Sequence, residues 1–301
     1  MGRKSVFPAG MKNLLISFSG GRTSGYMTHR ILSELPDDVD ARIVFANTGQ
    51  EDDRTLNFVH ECEEKFGWNI TWVEAKVNHG QRKGTEHRIV DYNTASRKGK
   101  PFEDVVSKYG LPNQSMPHCT RELKLQPIRS LCKSWGWKRK DYHSAVGIRA
   151  DEIDRVSSYA EKENLVYPLV KWGVKKPEIL EWWRQKNFDL MLPEHRGNCL
   201  WCWKKSFKKL VQVHRENPEV FDFPNYLEET YADSGALAKK SGKSQSMFRG
   251  HRSAKDVIEM SETGHVGFED TYYNEECAES CEVFSDTSLG FQGRFNFDGK
   301  A

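Results

Sequence analysis

The chain has no apolar run approaching the ~20 residues that a membrane-spanning helix needs, so no transmembrane helix is expected. Its first residues lack the apolar core of a secretory leader, and a cytoplasmic location is expected. Net charge is nearly absent: 45 Lys and Arg stand against 43 Asp and Glu, so overall charge argues for no polyanion partner. No internal repeat is visible, which sets repeat architectures aside. Hydrophobic residues make up only 37% of the 301, below the usual globular share. Nine Trp and sixteen Phe nevertheless supply bulky core pieces, and a chain of this length can bury a sizeable core. Seven Cys in a chain read as cytosolic favour metal, redox or core roles over disulfides.

Apolar patterning organises the first part of the chain. Asn13 to Phe18 is a short apolar run ending in Ser-Gly-Gly, as a buried parallel strand would be. A helix is expected from Ser24 to Leu35, stopped by Pro36. Arg42 to Asn47 reads as a second strand, Asp53 to Phe66 as a helix with Leu56, Val59 and Phe66 in phase, and Asn69 to Ala75 as a third strand. This β-α-β-α-β rhythm predicts an α/β fold with a doubly wound, mostly parallel sheet. Residues 76–118 are polar and read as a long loop or small insertion over the sheet edge. A helix is expected from Thr120 towards Trp135, a strand from Asp141 to Val146, and a helix from Pro177 to Lys186. The character changes near residue 207, so the expected division is residues 1–206 and residues 207–301. The second part holds a basic stretch around Lys239, Lys240, Lys243, Arg249, Arg252 and Lys255. Nine carboxylates follow between Glu259 and Asp286. It reads as a polar, partly disordered extension or a small helical lobe.

Ser19-Gly20-Gly21-Arg22-Thr23-Ser24 lies between a strand and a helix. Its glycines let the backbone turn tightly and bring N–H groups to a polyanion, and the helix N-terminus adds partial positive charge. The Gly-Lys-Ser/Thr ending of a Walker A loop is missing. A plain glycine turn between strand and helix is the bland alternative. Four further segments follow in order. They are Asn47-Thr48-Gly49-Gln50-Glu51, Cys119 to Pro127, Gly147-Ile-Arg149-Ala-Asp-Glu-Ile-Asp-Arg155, and Tyr167 to Trp172. Together they resemble the PP-loop of ATP pyrophosphatases in its phosphoadenosine-phosphosulfate (PAPS) reductase-like branch, over residues 14–205, about two thirds of the chain.

The resemblance implies an adenine-nucleotide α-hydrolase, HUP-type sheet with the nucleotide at the carboxyl ends of its strands. It implies binding of ATP, or a PAPS-like nucleotide, through Ser19, Gly20, Gly21, Arg22, Thr23, Ser24, Asn47, Thr48, Glu51 and Gly147. Arg149, Arg155 and Ser24 are the expected catalytic residues, because guanidinium groups pair bidentately with phosphate or sulfate oxygens. An ion-pair network of those arginines with Asp151, Glu152 and Asp154 is the competing reading. Many PP-loops carry Asp where Thr23 stands, so a carboxylate for Mg2+ must come from elsewhere, with Glu51 and Asp52 as candidates. Trp172 is expected to be a packing residue under the loop.

Cys199-Leu-Trp-Cys202 is a Cys-x-x-Cys some eighty residues after Cys119. Adenylyl-sulfate reductases of the same family hold a [4Fe–4S] cluster with similar spacing, so the resemblance implies a metal centre at Cys119, Cys199 and Cys202, with zinc as the rival metal. Three thiolates leave one iron open for sulfide, substrate or His118. Cys132 would lie ~20 Å further along a continuous helix and is a poor fourth ligand. Cys62 and Cys132 fall on apolar helix faces and are expected in the core. The family's sulfonate-attacking thiol sits in a C-terminal Glu-Cys-Gly-x-His-like motif. Cys277 follows Glu276 but lacks the Gly and a nearby His, and its acidic neighbours disfavour a thiolate.

The leading expectation is an ATP-dependent transferase that adenylylates an acceptor, releases pyrophosphate and handles sulfur at a cluster. The acceptor is a nucleic acid or a small metabolite, a sulfur donor protein is a further expected partner, and a homodimer is an open assembly. Lys204, Lys205, Lys208 and Lys209, set among Trp201, Trp203 and Phe207, either track a nucleic-acid backbone or form a solvated helix face. A sulfonucleotide reductase is the second expectation, and a nucleotide-binding module with a structural metal and no turnover is the third.

Overall fold

The computed structural model describes residues 6–80 and 83–264. In order the elements are β1 (Asn13–Ser17), α1 (Arg22–Glu34), β2 (Asp40–Ala46), α2 (Asp53–Phe66), β3 (Ile70–Val77), β4 (Thr85–Val90), α3 (Lys100–Tyr109), α4 (His118–Thr120) and α5 (Gln126–Ser134). There follow β5 (His143–Ala145), β6 (Leu165–Val166), α6 (Pro168–Trp172), α7 (Lys176–Arg184), α8 (Phe207–Glu216), α9 (Asp222–Tyr231), α10 (Gly235–Ser241) and α11 (Ala254–Thr263).

Six strands form one sheet in the order β4-β3-β2-β1-β5-β6. All pairs are parallel except β3 with β4. The expected doubly wound, mostly parallel sheet is what forms. β1 is central and fully covered, which is why Leu14, Leu15 and Ile16 run apolar without alternation. The chain leaves β1 towards β2 on one side and returns to β5 on the other. The gap between the carboxyl ends of β1 and β5 is therefore the switch point where such sheets bind ligands.

One sheet face packs on α1, α2 and α7 through Met27, Ile31, Leu56, Phe58, Val59 and Trp183. The other face packs on α5 through Leu125, Ile128 and Leu131. The α4–α5 run is one helix interrupted by a wider π-type turn at Arg121–Leu125, closed by Gln126 N–H on the Arg121 carbonyl. Pro127 supplies no N–H and crowds the preceding turn, and the extra residue accommodates it.

Two stretches differ from the sequence expectation. Residues 76–118, read as loop or insertion, contain β4 and α3. β4 is an edge strand with the polar sequence Thr-Glu-His-Arg-Ile-Val, so its pairing with β3 left no apolar signature. Helix α3 buries Phe102, Val105 and Val106 at helical spacing. Beyond residue 207 the described part is a helical lobe. Leu210, Val213, Phe221, Leu227, Met247, Phe248 and Val257 share one apolar cluster with Phe102, Val105, Trp201 and Trp203. This lobe therefore rests on α3 and on the segment that carries the Cys-x-x-Cys. Cys277 and Cys281 lie outside the described residues.

Candidate functional site

The loop after β1 closes on itself. Ser19 N–H donates to Ser24 Oγ at 3.1 Å, the Ser19 and Ser24 hydroxyls lie 2.9 Å apart, and Ser24 Oγ donates to the Gly21 carbonyl at 3.1 Å. Gly20 has φ +78°, and a Cβ there would meet Thr55 Cγ2 at 2.7 Å. Only glycine fits that position. Gly21 differs: it precedes the first turn of α1 with φ −106°, and a Cβ there would meet only Ser19 Oγ, at 3.7 Å. The two glycines thus have separate jobs, one to pack the loop and one to leave its outer face bare. Gly21 also leaves the start of α1 without a side-chain cap, so the free N–H groups of the first turn are available to an anion.

Arg22 starts α1, and its guanidinium is held by Asp189 in a bidentate ion pair at 2.7 and 2.9 Å. Its backbone carbonyl accepts from Trp183 Nε1 at 2.9 Å. Trp183, rather than Trp172, is therefore the aromatic residue under the loop, with its ring against Gly25. Trp172 is a packing residue, but it meets Phe7 and the Arg30 guanidinium instead.

Across the switch point, Gly147 is buried just beyond β5, and Arg149 follows it. Arg149 is 7% exposed, and its Nη1 donates to Thr23 Oγ1 at 3.4 Å. The sequence-expected arginine and phosphate loop therefore meet. Arg149 also pairs with Asp151 and Glu152, and Arg155 pairs with Glu152. Arg149 thus reaches Thr23 of the loop while it pairs within its own segment, and Arg155 pairs with Glu152.

The second-strand motif is largely spent on its own architecture. The buried Asn47 amide donates to Glu74 Oε1 at 2.7 Å and to the Ser96 carbonyl at 2.8 Å. Glu51 accepts from Thr48 N–H, Thr48 Oγ1 and Gln50 N–H at 3.0, 2.8 and 3.2 Å. Asp52 caps α2 and accepts from Arg54 and from Arg196. Burial alone pushes the Asp52 carboxyl up, but these hydrogen bonds outweigh it and hold its pKa at about 2. Both carboxylates offered for magnesium are already engaged by these donors.

The same motif meets the cysteines. Glu51 and Cys199 form an isolated β-bridge, Leu200 N–H donates to the Gln50 carbonyl at 3.0 Å, and Trp201 Nε1 donates to Gln50 Oε1. Thr48 Oγ1 lies 3.3 Å from Cys199 Sγ. Cys119, Cys199 and Cys202 all line one small, partly open pocket, walled by Phe102, Leu123 and Trp201 and bordered by Lys124. Burial drives the Cys199 thiol well above its ordinary pKa, and Glu51 and Cys202 add to it. Lys124 and Thr48 pull the other way. Among the described residues, no three His, Cys, Asp or Glu side chains converge as a ready ligand set for a metal ion.

His118 does not line this pocket. Its Nε2 donates to the Gly110 carbonyl at 2.9 Å, and burial lowers its pKa to about 4. Cys62 and Cys132 are in the core, as expected, and burial raises both thiols, Cys132 to about 11. Of the lysines after the Cys-x-x-Cys, Lys205 is buried on the Leu200 carbonyl and Lys209 pairs with Glu194. Lys204 stacks on Trp203, and Lys208 is exposed. Sequence reasoning gave no role to Lys124, Trp183 or Gln50. The advance signals were the places of Gln50 within the Asn47 to Glu51 motif and of Lys124 within the Cys119 to Pro127 element.

A family model described as the phosphoadenosine phosphosulfate reductase domain matches residues 13–189. The chain is 32% identical over 295 residues to the uncharacterized nin region protein ORF290 of Escherichia phage lambda, covering 94% of this chain and 97% of that one. It is 23% identical over 253 residues to the uncharacterized protein MJ0066 of Methanocaldococcus jannaschii, and 25% identical over 220 residues to MJ0973 of the same organism. These matches cover 78% and 68% of this chain but 45% of each archaeal protein. No helix among the described residues is long and apolar enough to cross a membrane. With its phosphate loop, its switch-point arginine and a family match over more than half its length, the chain belongs to the phosphoadenosine phosphosulfate reductase family of nucleotide-binding α/β enzymes.

Proposed function

We propose that the protein binds ATP at the loop from Ser19 to Ser24, adenylylates an acceptor and uses the adjoining cysteine pocket in sulfur transfer. The carrying observation is the contact between the two halves of the site. Thr48, in the nucleotide motif, lies 3.3 Å from Cys199, in the cysteine pocket. A nucleotide seated on the loop and a sulfur centre held by the cysteines would share one wall.

The N–H groups at the start of α1 and the Arg149 guanidinium take up phosphate charge. An acceptor oxygen attacks the α-phosphorus, the bond from that phosphorus to the α–β bridging oxygen breaks, and pyrophosphate leaves with the electron pair. The acceptor's proton passes to solvent. The protein's contribution is positioning and charge neutralisation. The exposed Lys208 and Arg252, with Lys204 at the pocket rim, are charges that suit a nucleic-acid acceptor.

Cys119, Cys199 and Cys202 line one pocket without converging as a ready ligand set, and zinc and a polynuclear cluster would make different demands on them. A single tetrahedral zinc, with Zn–S about 2.3 Å, needs its thiolates roughly 3.8 Å apart. A cluster takes each thiolate on a different iron and so asks for wider spacing than a single zinc. Cys119, Cys199 and Cys202 would hold it. When bound, such a cluster supplies a soft metal site for sulfide or substrate sulfur.

The family's own description favours a second reading, reduction of PAPS or adenylyl sulfate to sulfite. Two assays on anaerobically prepared protein separate the readings. ATP–pyrophosphate exchange, or acceptor-dependent pyrophosphate release, is expected. Sulfite release with a thioredoxin system that vanishes in Cys277→Ser would replace the transferase reading with the reductase.

A further inference from the structure

Residues 234–255 contain six Lys and Arg, one His and no Asp or Glu. The end of this basic stretch is built as a rigid tip. Phe248 N–H donates to the Arg252 carbonyl at 3.0 Å, and the two residues form an isolated β-bridge. Between them Gly250 and His251 stand in succession in the left-handed region, at φ 61° and 60°. Residues with a side chain seldom adopt that conformation, so His251 is held in it by its surroundings. The holder is Glu228. Its buried carboxylate accepts from Met247 N–H at 2.8 Å and from Ala254 N–H at 2.6 Å, one oxygen at each foot of the turn. The tip also meets the cysteine pocket. Arg249 donates to the Lys204 carbonyl, and Lys204 lines that pocket. His251, Arg252 and Lys208 are exposed. Cations nearby that serve the fold look different: Lys209 pairs with Glu194, and Lys255 pairs with Glu229.

We propose that the turn from Arg249 to Arg252, with Lys204 and Lys208, is a docking surface for the phosphodiester backbone of a nucleic-acid strand beside the cysteine pocket. The proposal deepens the nucleic-acid acceptor named above and rests on that reading. A single small anion asks for one convergent cluster, whereas cations set out along a rim match the repeated charge of a polymer. Arginine adds a fork that takes two phosphate oxygens at once. A turn fixed before its partner arrives loses little freedom on binding, which gives the strained His251 backbone a use. Contacts of this kind hold the strand in place without reading its bases.

Fluorescence anisotropy of a labelled single strand of about 20 nucleotides, titrated with the full chain in the absence of ATP, reads this surface apart from catalysis. Affinity should fall as salt rises. Arg252→Ala combined with Lys208→Ala should weaken binding roughly tenfold and lower the slope of log affinity against log salt by about 1.4, about 0.7 for each lost phosphate contact. Lys138→Ala combined with Lys140→Ala removes the same charge beside the amino end of β5, away from the carboxyl ends that carry the site. That pair should change affinity by less than about twofold. Arg249→Ala should also weaken binding, and if it does not fold, the exposed pair still decides. Equal loss in the two double variants would mean that net charge alone acts, and overturns the surface. Displacement of the strand by polyglutamate as readily as by unlabelled strand would assign the surface to an acidic protein and overturns the proposal as well. A native chain that binds no strand at low salt sinks both this surface and the nucleic-acid acceptor, and leaves the nucleotide site standing. Strand binding as described, without ATP–pyrophosphate exchange, upholds the surface and sinks the adenylylation reading instead.

Discussion

The phosphate loop closes within six residues, whereas the cysteine pocket is assembled from segments around Thr48, Cys119 and Cys199 that lie far apart in the chain. The first depends on local backbone geometry, with Gly20 in a left-handed conformation and Ser19 and Ser24 bonded to each other. The second depends on tertiary fit. A π-type turn follows Cys119, Gln50 anchors Leu200 and Trp201, and the helical lobe packs behind Trp203. Local sites are set by few residues and tolerate change elsewhere. Assembled sites inherit the stability of every segment that builds them.

The sharpest way to break the comparison lies inside the loop. Gly21→Leu should lower nucleotide affinity by more than ~100-fold, about 3 kcal/mol, with the melting temperature nearly unchanged. Gly20→Ala should do the reverse in kind. Strain at positive φ and contact with Thr55 should cost roughly 1–3 kcal/mol of stability before binding is considered. Calorimetry and thermal denaturation on both variants check this, and equal behaviour of the two would erase the division of labour between the glycines.

On the assembled side, serine at Cys119, Cys199 or Cys202 should each remove most of the iron and the visible chromophore after anaerobic loading. Cys62→Ser and Cys132→Ser should keep both, because those thiols lie in separate core clusters. Iron analysis and optical spectra measure this. Stoichiometric zinc in the native protein would retire the cluster while leaving the nucleotide site untouched.

Arg149 and Arg155 grade the reach of the loop. Arg149→Ala should weaken nucleotide binding roughly 10- to 150-fold, the worth of a charged hydrogen-bonded contact of about 1.5–3 kcal/mol. Arg155→Ala should cost less, because Arg155 pairs with Glu152 whereas Arg149 reaches Thr23. Titration of ATP or PAPS into both variants ranks them, and a larger loss for Arg155 would move the anion site away from Thr23.

This contrast explains what could be read in advance. The α/β sheet, the loop and the Gly147–Arg149 stretch were legible because buried parallel strands are continuously apolar and phosphate turns are local. β4 and α3 were not, since an edge strand lacks an apolar period and α3 is short and flanked by Lys, Gly and Asn. The three cysteines could be grouped only through the family resemblance, because spacing of eighty residues carries no geometry. That Asn47 and Glu51 are used inside the fold was hidden for the same reason. Their partners Glu74 and Ser96, and the backbone of Thr48 and Gln50, are known only once the chain has turned.

The smallest effect tests the seam between the two regions. Asp52 caps α2 beside the nucleotide motif and accepts from Arg196, which precedes the Cys-x-x-Cys. Its folded pKa of about 2 lies below the ordinary value of 3.8. Its stabilising contribution is therefore fully present above about pH 4 and is lost as pH falls from 4 towards 2. Its partner Arg54 is partly exposed, so the amount is about 1–2 kcal/mol rather than the full shift converted. Asp52→Asn keeps the helix cap, since Asn caps as well as Asp, and removes only the ion pairs. Denaturant unfolding at neutral pH should show the variant less stable by that amount, and the gap should close as the native chain is acidified towards pH 2. A gap independent of pH would mean that Asp52 acts through shape alone. The seam between nucleotide motif and cysteine segment would then rest on the Gln50 contacts with Leu200 and Trp201.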